Sequence, residues 1–309
     1  MVNQIKENFN NFMNDNYRKG IILAGGKGTR LRPITFSVCK QLLPLYNKPA
    51  IYYPLTTLML SGIREFLIIV NPGDLNSFKS LLGNGEHLGI TISYKIQKKP
   101  DGIAQAFTIG EEFIGESCVA LILGDNFFYG NSLPDILVKS SKEKEGATIF
   151  ASEVIDPERY GVVDFDKDFK VRSIIEKPKD PKTNFAITGL YFYDNKVVEY
   201  SKLLKPSKRG ELEITDLNMI YLKNKELDVT LFGRAIIWHD TGTFDSLFET
   251  ASLVKSIENK QRSRIGCPEE IAWRMGWINN DELMSSIKKY KGNEYGKYLK
   301  DLIYQENMF

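Results

Sequence analysis

Cysteine and histidine are scarce in this chain of 309 residues, and each scarcity removes a class of chemistry. Cys39, Cys118 and Cys267 are odd in number and widely spaced, so neither a disulfide framework nor a Cys-x-x-Cys pair can be drawn. A reducing, cytoplasmic setting is the expectation. With His87 and His239 as the only histidines, a zinc-hydroxide site would need scattered ligands, whereas hard-metal chemistry on carboxylates stays open. Long hydrophobic runs are missing as well: 66–70 and 119–123 are strand-sized, far below the roughly 20 apolar residues of a membrane span. The first residues are rich in Asn and mixed in charge, without the apolar core of a signal peptide, so no export is expected. Net charge is nearly absent too, at +2 from 41 basic and 39 acidic residues. No global field would hold a nucleic acid or an anionic membrane, and any such affinity must be local.

Locally, one sign of charge disappears. From 16 through 64 there is no Asp or Glu, while Arg18, Lys19, Lys27, Arg30, Arg32, Lys40, Lys48 and Arg64 all fall in that stretch. It is expected to be a site for a polyanion.

What is present supports a sizeable core, since 42% of residues are hydrophobic. Val2, Ile5, Phe9 and Phe12 recur at helical spacing, so 1–18 is read as an N-terminal arm, either a small amphipathic helix or frayed chain. From residue 19 short β-rich runs alternate with helical periods. Strands are predicted at 20–23, 66–70, 90–96 and 119–123, and helices at 51–60, 75–82 and 103–113. Near-continuous apolar strands indicate burial on both faces, hence an α/β, Rossmann-like, mostly parallel sheet with ligands beyond the strands' carboxyl ends. Loops 24–32, 71–74, 97–102 and 124–129 qualify for that position. After about residue 146 strand-rich segments at 147–154, 161–165, 171–176 and 186–193 suggest an α+β second half. The predicted core therefore spans 19–242, and 243–309 is a C-terminal helical segment packed on the sheet or on a neighbouring subunit.

Gly25-Gly26-Lys27-Gly28-Thr29-Arg30 follows the first strand, where unhindered glycines let backbone N–H groups approach phosphate oxygens and Arg30 offers a forked guanidinium. A tight glycine turn with solvated cations is the competing reading. Lys27 falls too early for a Walker A loop, and Leu31 stands where a dinucleotide fingerprint needs its third glycine. A nicotinamide enzyme and a kinase-like ATPase are thereby disfavoured, and no recognisable nucleic-acid module surrounds the basic stretch.

Mg²⁺ takes one or two carboxylates plus substrate phosphates, and Asp125 and Asp240 are the candidates. Asp125 ends an apolar strand within Gly124-Asp125-Asn126, where an ordinary turn role competes. In Ile236-Ile237-Trp238-His239-Asp240 alternation puts Asp240 on one face with Trp238 and turns His239 away as a structural residue. Helix capping by Asp240 competes, with Thr241 or Thr243 as other possible caps. Glu176-Lys177-Pro178 closes a strand with a hydroxyl acceptor beside a cation, which would suit a sugar phosphate as well as a surface ion pair. Gln97, near Asp101-Gly102, offers both donor and acceptor to a pyrimidine edge.

Gly25-Gly26-Lys27-Gly28-Thr29-Arg30-Leu31-Arg32-Pro33 followed by Lys40-Gln41-Leu42-Leu43-Pro44 resembles the signature of sugar-1-phosphate nucleotidyltransferases. Tyr160-Gly161-Val162-Val163, Glu176-Lys177-Pro178, Gly210-Glu211-Leu212-Glu213-Ile214-Thr215-Asp216 and Asp240-Thr241-Gly242-Thr243 recur in the family's order, and Cys267-Pro268-Glu269-Glu270 is similar to its thymidylyl-transferring group. The resemblance implies a nucleotide-diphospho-sugar transferase sheet, Mg²⁺ on Asp125 and Asp240, and a homotetramer. It implies transfer from dTTP to glucose 1-phosphate, with UTP as the alternative nucleotide and a non-catalytic nucleotide-sugar sensor as the alternative role. By position Gly25, Gly26, Gly28, Thr29, Arg30 and Lys40 would face nucleotide phosphates, with Gln41, Gln97, Gly102 and Asn126 around the nucleotide. Tyr160, Gly161, Glu176 and Lys177 would hold the sugar phosphate, and Ile187 would line the sugar pocket. The chain departs from the family pattern at Lys27, Asn131 and His239.

Overall fold

In a computed structural model of the chain, residues 18–168 and 170–306 are described. The arm expected over 1–18 lies outside them except for Arg18, which opens the first strand. Thirteen strands are described in chain order: β1 Arg18–Ala24, β2 Pro44–Leu45, β3 Lys48–Pro49, β4 Glu65–Val70, β5 Thr91–Ile96, β6 Cys118–Leu123, β7 Asn126–Tyr129, β8 Ala147–Glu153, β9 Gly161–Phe165, β10 Val171–Glu176, β11 Phe185–Tyr193, β12 Leu227–Leu231 and β13 Ile237–Asp240. Nine of them form one mixed sheet in the order β10-β9-β11-β6-β1-β4-β5, with β8 bridging β11 and β12.

β5, β4, β1 and β6 run parallel, joined by helical crossovers that include α1 Tyr52–Leu60 and α2 Leu75–Leu82. Their continuous apolar runs are explained by coverage on both faces: Ile22, Ile68 and Ile122 enter one core, Ile21, Leu67 and Leu121 the other. The expected change of rhythm near residue 146 is a change of strand direction, because β11 runs antiparallel to β6, β8 and β9. The helix predicted at 103–113 is broken at Gly110 into Gln105–Ile109 and Glu111–Ile114. There the chain passes so close to Ile21 and Leu67 that an added Cβ would sit about 3 Å from both.

After α3 Gln105–Ile109, α4 Glu111–Ile114, α5 Leu133–Lys142, α6 Val197–Lys202 and α7 Ile214–Lys223, the C-terminal α8 Phe244–Gln261 is followed by three shorter helices, Pro268–Arg274, Asn280–Lys289 and Glu294–Glu306. Trp273, Leu283, Leu299 and Leu302 join the same core as Phe78 and Leu88, so this segment packs on the face of the sheet that Ile22, Ile68 and Ile122 enter. No helix among the described residues is long and apolar enough to cross a membrane.

Candidate active site

β1 and β6 end side by side, with Leu23 opposite Leu123, and the chain leaves both strands into one cleft of about 650 Å³. From β1 come Gly26, Thr29 and Arg30, and just beyond them Lys40 and Gln41; from β6 come Asp125 and Asn126. Tyr160, Gly161, Glu176, Lys177 and Ile187 form the wall across from them, and Asp240 closes the end. Residues more than two hundred positions apart thus share one cavity.

The two candidate metal carboxylates are coupled through backbone. β13 pairs antiparallel with β7 so that Asp240 faces Asn126, and Thr241 donates both its N–H (3.0 Å) and its hydroxyl (2.8 Å) to the Asp125 carbonyl. Thr243, through a capping box with Ser246, caps α8, which leaves the Asp240 side chain free of that duty. Asp240 instead accepts from the Gly242 N–H at 3.0 Å and lies 3.6 Å from the Arg30 guanidinium. His239 turns the other way, as expected: the Thr250 hydroxyl donates to Ser246, so its oxygen accepts from His239 Nδ1 at 2.8 Å.

Electrostatics follow from burial and pairing. Burial would lower the Lys40 ammonium, but its ion pair with Asp125, with Asp240 beyond, outweighs that and raises it. Burial would likewise raise the Asp125 carboxyl, and Lys40 more than reverses it, holding Asp125 below its ordinary value. Asp240 is pushed up, first by burial and then by the charge on Asp125. Two carboxylates close enough to repel and open to one cavity suit a cation that also takes phosphate oxygens. Among the described residues no group of three or more His, Cys, Asp or Glu could hold a metal ion, so an all-protein cage is absent while a Mg²⁺-type site completed by substrate fits.

On the opposite wall Glu176 accepts from the Thr215 hydroxyl at 2.6 Å and from Arg209 at 3.1 Å. Gly161 packs closely beneath it: a Cβ there would lie 3.2 Å from Thr215 Oγ1 and 3.4 Å from Glu176 Oε2. Lys177 has a left-handed backbone (φ 43°), with its N–H donating to the Tyr160 carbonyl and its ammonium 3.6 Å from Glu176. A non-glycine residue in that region carries strain, which functional sites tolerate. Asn126 lines the cleft, yet its amide oxygen already accepts from Gly189 N–H (3.1 Å) and Trp238 Nε1 (2.6 Å), so it also pins β11 and β13 together.

The cavity gathers some of the sequence candidates and leaves others outside its lining. Of the eight cations in the acid-free stretch only Arg30 and Lys40 line the cleft. Arg18 and Lys19 sit at the far end of β1, where Arg18 donates to the carbonyls of Val119 and Tyr193. Lys48 is buried against Glu258, and Arg64 binds the Gly89 carbonyl. The run is basic for several unrelated reasons. Gly25, Gly28, Gln97 and Gly102 are not among the residues lining this cavity: a Cβ on Gly25 would strike Gln97 Oε1, and one on Gly28 would strike Thr35. Gln97 is buried, donating to Gln105, and Gly102 packs on the Leu212 backbone. Loop 71–74 is likewise off the cleft, closed on itself by Asn71 donating to Asp74.

Among the cleft residues that were not nominated as site residues are Arg159, Arg209 and Thr215. Arg209 bridges Glu176, Glu211 and Glu213, and the only signal was its place in the charged Lys208-Arg209-Gly210-Glu211 turn. Thr215 stands inside the recurring segment Gly210-Glu211-Leu212-Glu213-Ile214-Thr215-Asp216, but nothing in the sequence singled out its hydroxyl. Arg159 stacks over Tyr160 and is tied to Asp156; its proximity to the motif residue Tyr160 was the available hint.

The fold and this cleft define a nucleotide-handling transferase. Residues 19–256 match the family model described as nucleotidyl transferase, and the chain belongs to that family. Over 92% of its length it is 56% identical to the glucose-1-phosphate thymidylyltransferase of Neisseria meningitidis, covering 99% of that protein; the Mycolicibacterium smegmatis protein of the same name is 50% identical over 93% of this chain and all of its own length. Among solved structures, a glucose-1-phosphate thymidylyltransferase from Bacillus anthracis in complex with sucrose superposes with a TM-score of 0.71 at 43% identity, over 76% of this chain and 94% of that one. A UDP-glucose pyrophosphorylase complexed with UDP-glucose shares the fold at a TM-score of 0.68 and 24% identity, over 77% of this chain and 98% of that one.

Proposed function

We propose that this protein is a glucose-1-phosphate thymidylyltransferase, joining dTTP and glucose 1-phosphate into dTDP-glucose with release of pyrophosphate. The observation that carries the reading is the single cleft in which Arg30, Lys40 and the Asp125–Asp240 pair face Glu176 and Lys177. Relatives of that name matching nearly the whole chain support it.

The reaction needs no protein nucleophile. No cysteine or histidine is among the described residues lining the cleft. An oxygen of the sugar phosphate attacks the α-phosphorus; the new P–O bond forms as the α–β anhydride bond breaks and pyrophosphate carries away the electron pair. The protein's task is to align two anions and offset their repulsion. Lys177 and Arg209 hold the attacking phosphate, Glu176 accepts from a sugar hydroxyl, and Arg30 with Lys40 binds the triphosphate and steadies the departing pyrophosphate. Asp125 and Asp240 would hold Mg²⁺, which when bound supplies Lewis-acid neutralisation of phosphate charge. The same reading makes the enzyme a cytoplasmic homotetramer acting on small molecules.

Purified protein incubated with Mg²⁺, glucose 1-phosphate and each NTP or dNTP in turn tests this by pyrophosphate release. Release is expected to be fastest with dTTP. Equal or faster release with UTP would reassign the nucleotide, since one methyl is worth only about 1–3 kcal/mol, and no release with any nucleotide would leave the sensor reading.

A further inference from the structure

One buried contact on the nucleotide side of the cleft is unused by this chemistry. Cys39 and Gln41 flank Lys40 at the start of a short 3-10 turn, and the extended backbone of Cys39 (ψ 137°) lets their side chains meet. Cys39 Sγ donates to Gln41 Oε1 at 2.8 Å and lies 3.9 Å from the carbonyl of Ala24, the last residue of β1. Cys39 is 8% exposed and stands behind the wall; Gln41, 1% exposed, is part of it. The Gln41 stem packs over Gly124, where a Cβ would come within 2.9 Å of its Cγ, so the side chain has little room except to rotate its terminal amide.

That rotation matters because a carboxamide is two-faced. Turned by half a revolution it exchanges a donor for an acceptor at nearly the same position. A donor on the buried side breaks the tie: with Oε1 taken by the thiol, the NH₂ group is the part left for the cavity. We propose that Cys39 is a positioning residue for nucleotide recognition, its thiol locking the Gln41 carboxamide with the NH₂ group toward the cleft as donor to an acceptor oxygen of the bound nucleotide. Burial pushes the Cys39 thiol up to about 12, so it stays protonated and able to donate at neutral pH. The proposal rests on the nucleotidyl-transfer reading of this cleft.

Steady-state kinetics of wild type, Cys39→Ser and Cys39→Ala test it, using whichever nucleotide the wild type turns over fastest. A lost neutral hydrogen bond predicts that Cys39→Ala raises the nucleotide KM about three- to tenfold, with kcat and the glucose 1-phosphate KM within about twofold. Cys39→Ser keeps a donor and restores the nucleotide KM. In a Gln41→Ala background Cys39→Ala has no further effect on that KM, since the two residues act through one contact. The proposal is overturned if Cys39→Ala matches wild type, if it raises both KM values alike, if serine fails to rescue, or if the cost persists without Gln41. Failure of the wild type to release pyrophosphate with any nucleotide overturns the functional reading and this proposal with it; an active wild type with indifferent Cys39 variants overturns this proposal alone.

Discussion

Lys177 shows how a single residue can serve the site against its own backbone preference. Its φ of 43° places an L-residue in the left-handed region, at a cost of about 1–2 kcal/mol that glycine would not carry. The strain brings a cation beside Glu176 immediately after β10 ends. Replacing Lys177 by Gly and by Ala separates the two effects. Both variants are expected to lose roughly 10²-fold in kcat/KM, while urea unfolding finds the Gly variant more stable than the Ala variant by about 1 kcal/mol. Equal stability of the two would show that the conformation is unstrained; retained activity would remove Lys177 from catalysis. At this scale the sequence was readable at Asp125, which follows an apolar parallel strand and so comes to the sheet's carboxyl edge, and at Glu176, which closes β10 opposite Gly161. It misled where charge was counted along the chain. Arg18 and Arg30 are twelve residues apart, yet β1 carries them to opposite ends of the sheet.

Between elements, the decisive contacts join segments that are far apart in sequence. The hairpin of β2 and β3 is held to α8 by Glu258, whose carboxylate accepts from Lys48 at 2.6 Å, Arg264 at 2.7 Å and Asn47 at 2.9 Å. Burial alone would raise the Glu258 carboxyl, but the hydrogen bonds from Lys48 and Arg264 reverse this and hold it below its ordinary value. A carboxylate depressed in the folded state contributes stability that is complete above the unfolded-state value and drains away as pH falls through the folded one. Glu258→Gln is therefore expected to cost roughly 3–5 kcal/mol near neutrality, where it leaves the buried Lys48 uncompensated. Below about pH 4 the gap to wild type should begin to shrink, because Glu258 of the unfolded chain takes up a proton there before the folded one does. Unfolding curves at neutral and acid pH read this directly, and a gap independent of pH would contradict it. Element prediction itself worked where the pattern was one of continuous burial, as in 66–70; 171–176 was also located, although only Ile174 is buried there, and α2 was anticipated residue for residue. It missed β12, whose residues are mostly half-buried at the sheet edge and carry no clear alternation.

For the molecule as a whole, the near-neutral net charge conceals a cleft whose own balance is close to even. Five cations, Arg30, Lys40, Arg159, Lys177 and Arg209, face four carboxylates, Asp125, Glu176, Glu211 and Asp240. A triphosphate and a sugar phosphate together bring several more negative charges than that slight surplus offsets. The cleft's own charges, by contrast, are already paired: Lys40 sits on Asp125 and Arg30 near Asp240, which predicts that folding does not depend on an added ion. Activity and stability should therefore respond differently when divalent cations are withdrawn. With excess EDTA, pyrophosphate release is expected to fall on the order of 10²-fold or more and to recover on adding Mg²⁺. The melting temperature of the substrate-free protein should move by less than about 2 °C, since the aspartates keep their protein partners. Undiminished turnover in EDTA would sink the metal assignment, and a large loss of melting temperature would mean that the ion holds the fold together. The separation was visible in sequence only in part. Asp125 and Asp240 could be nominated from their strands, but the lysine that stabilises one of them without metal lies 85 residues away from it, and only the folded chain brings the pair together.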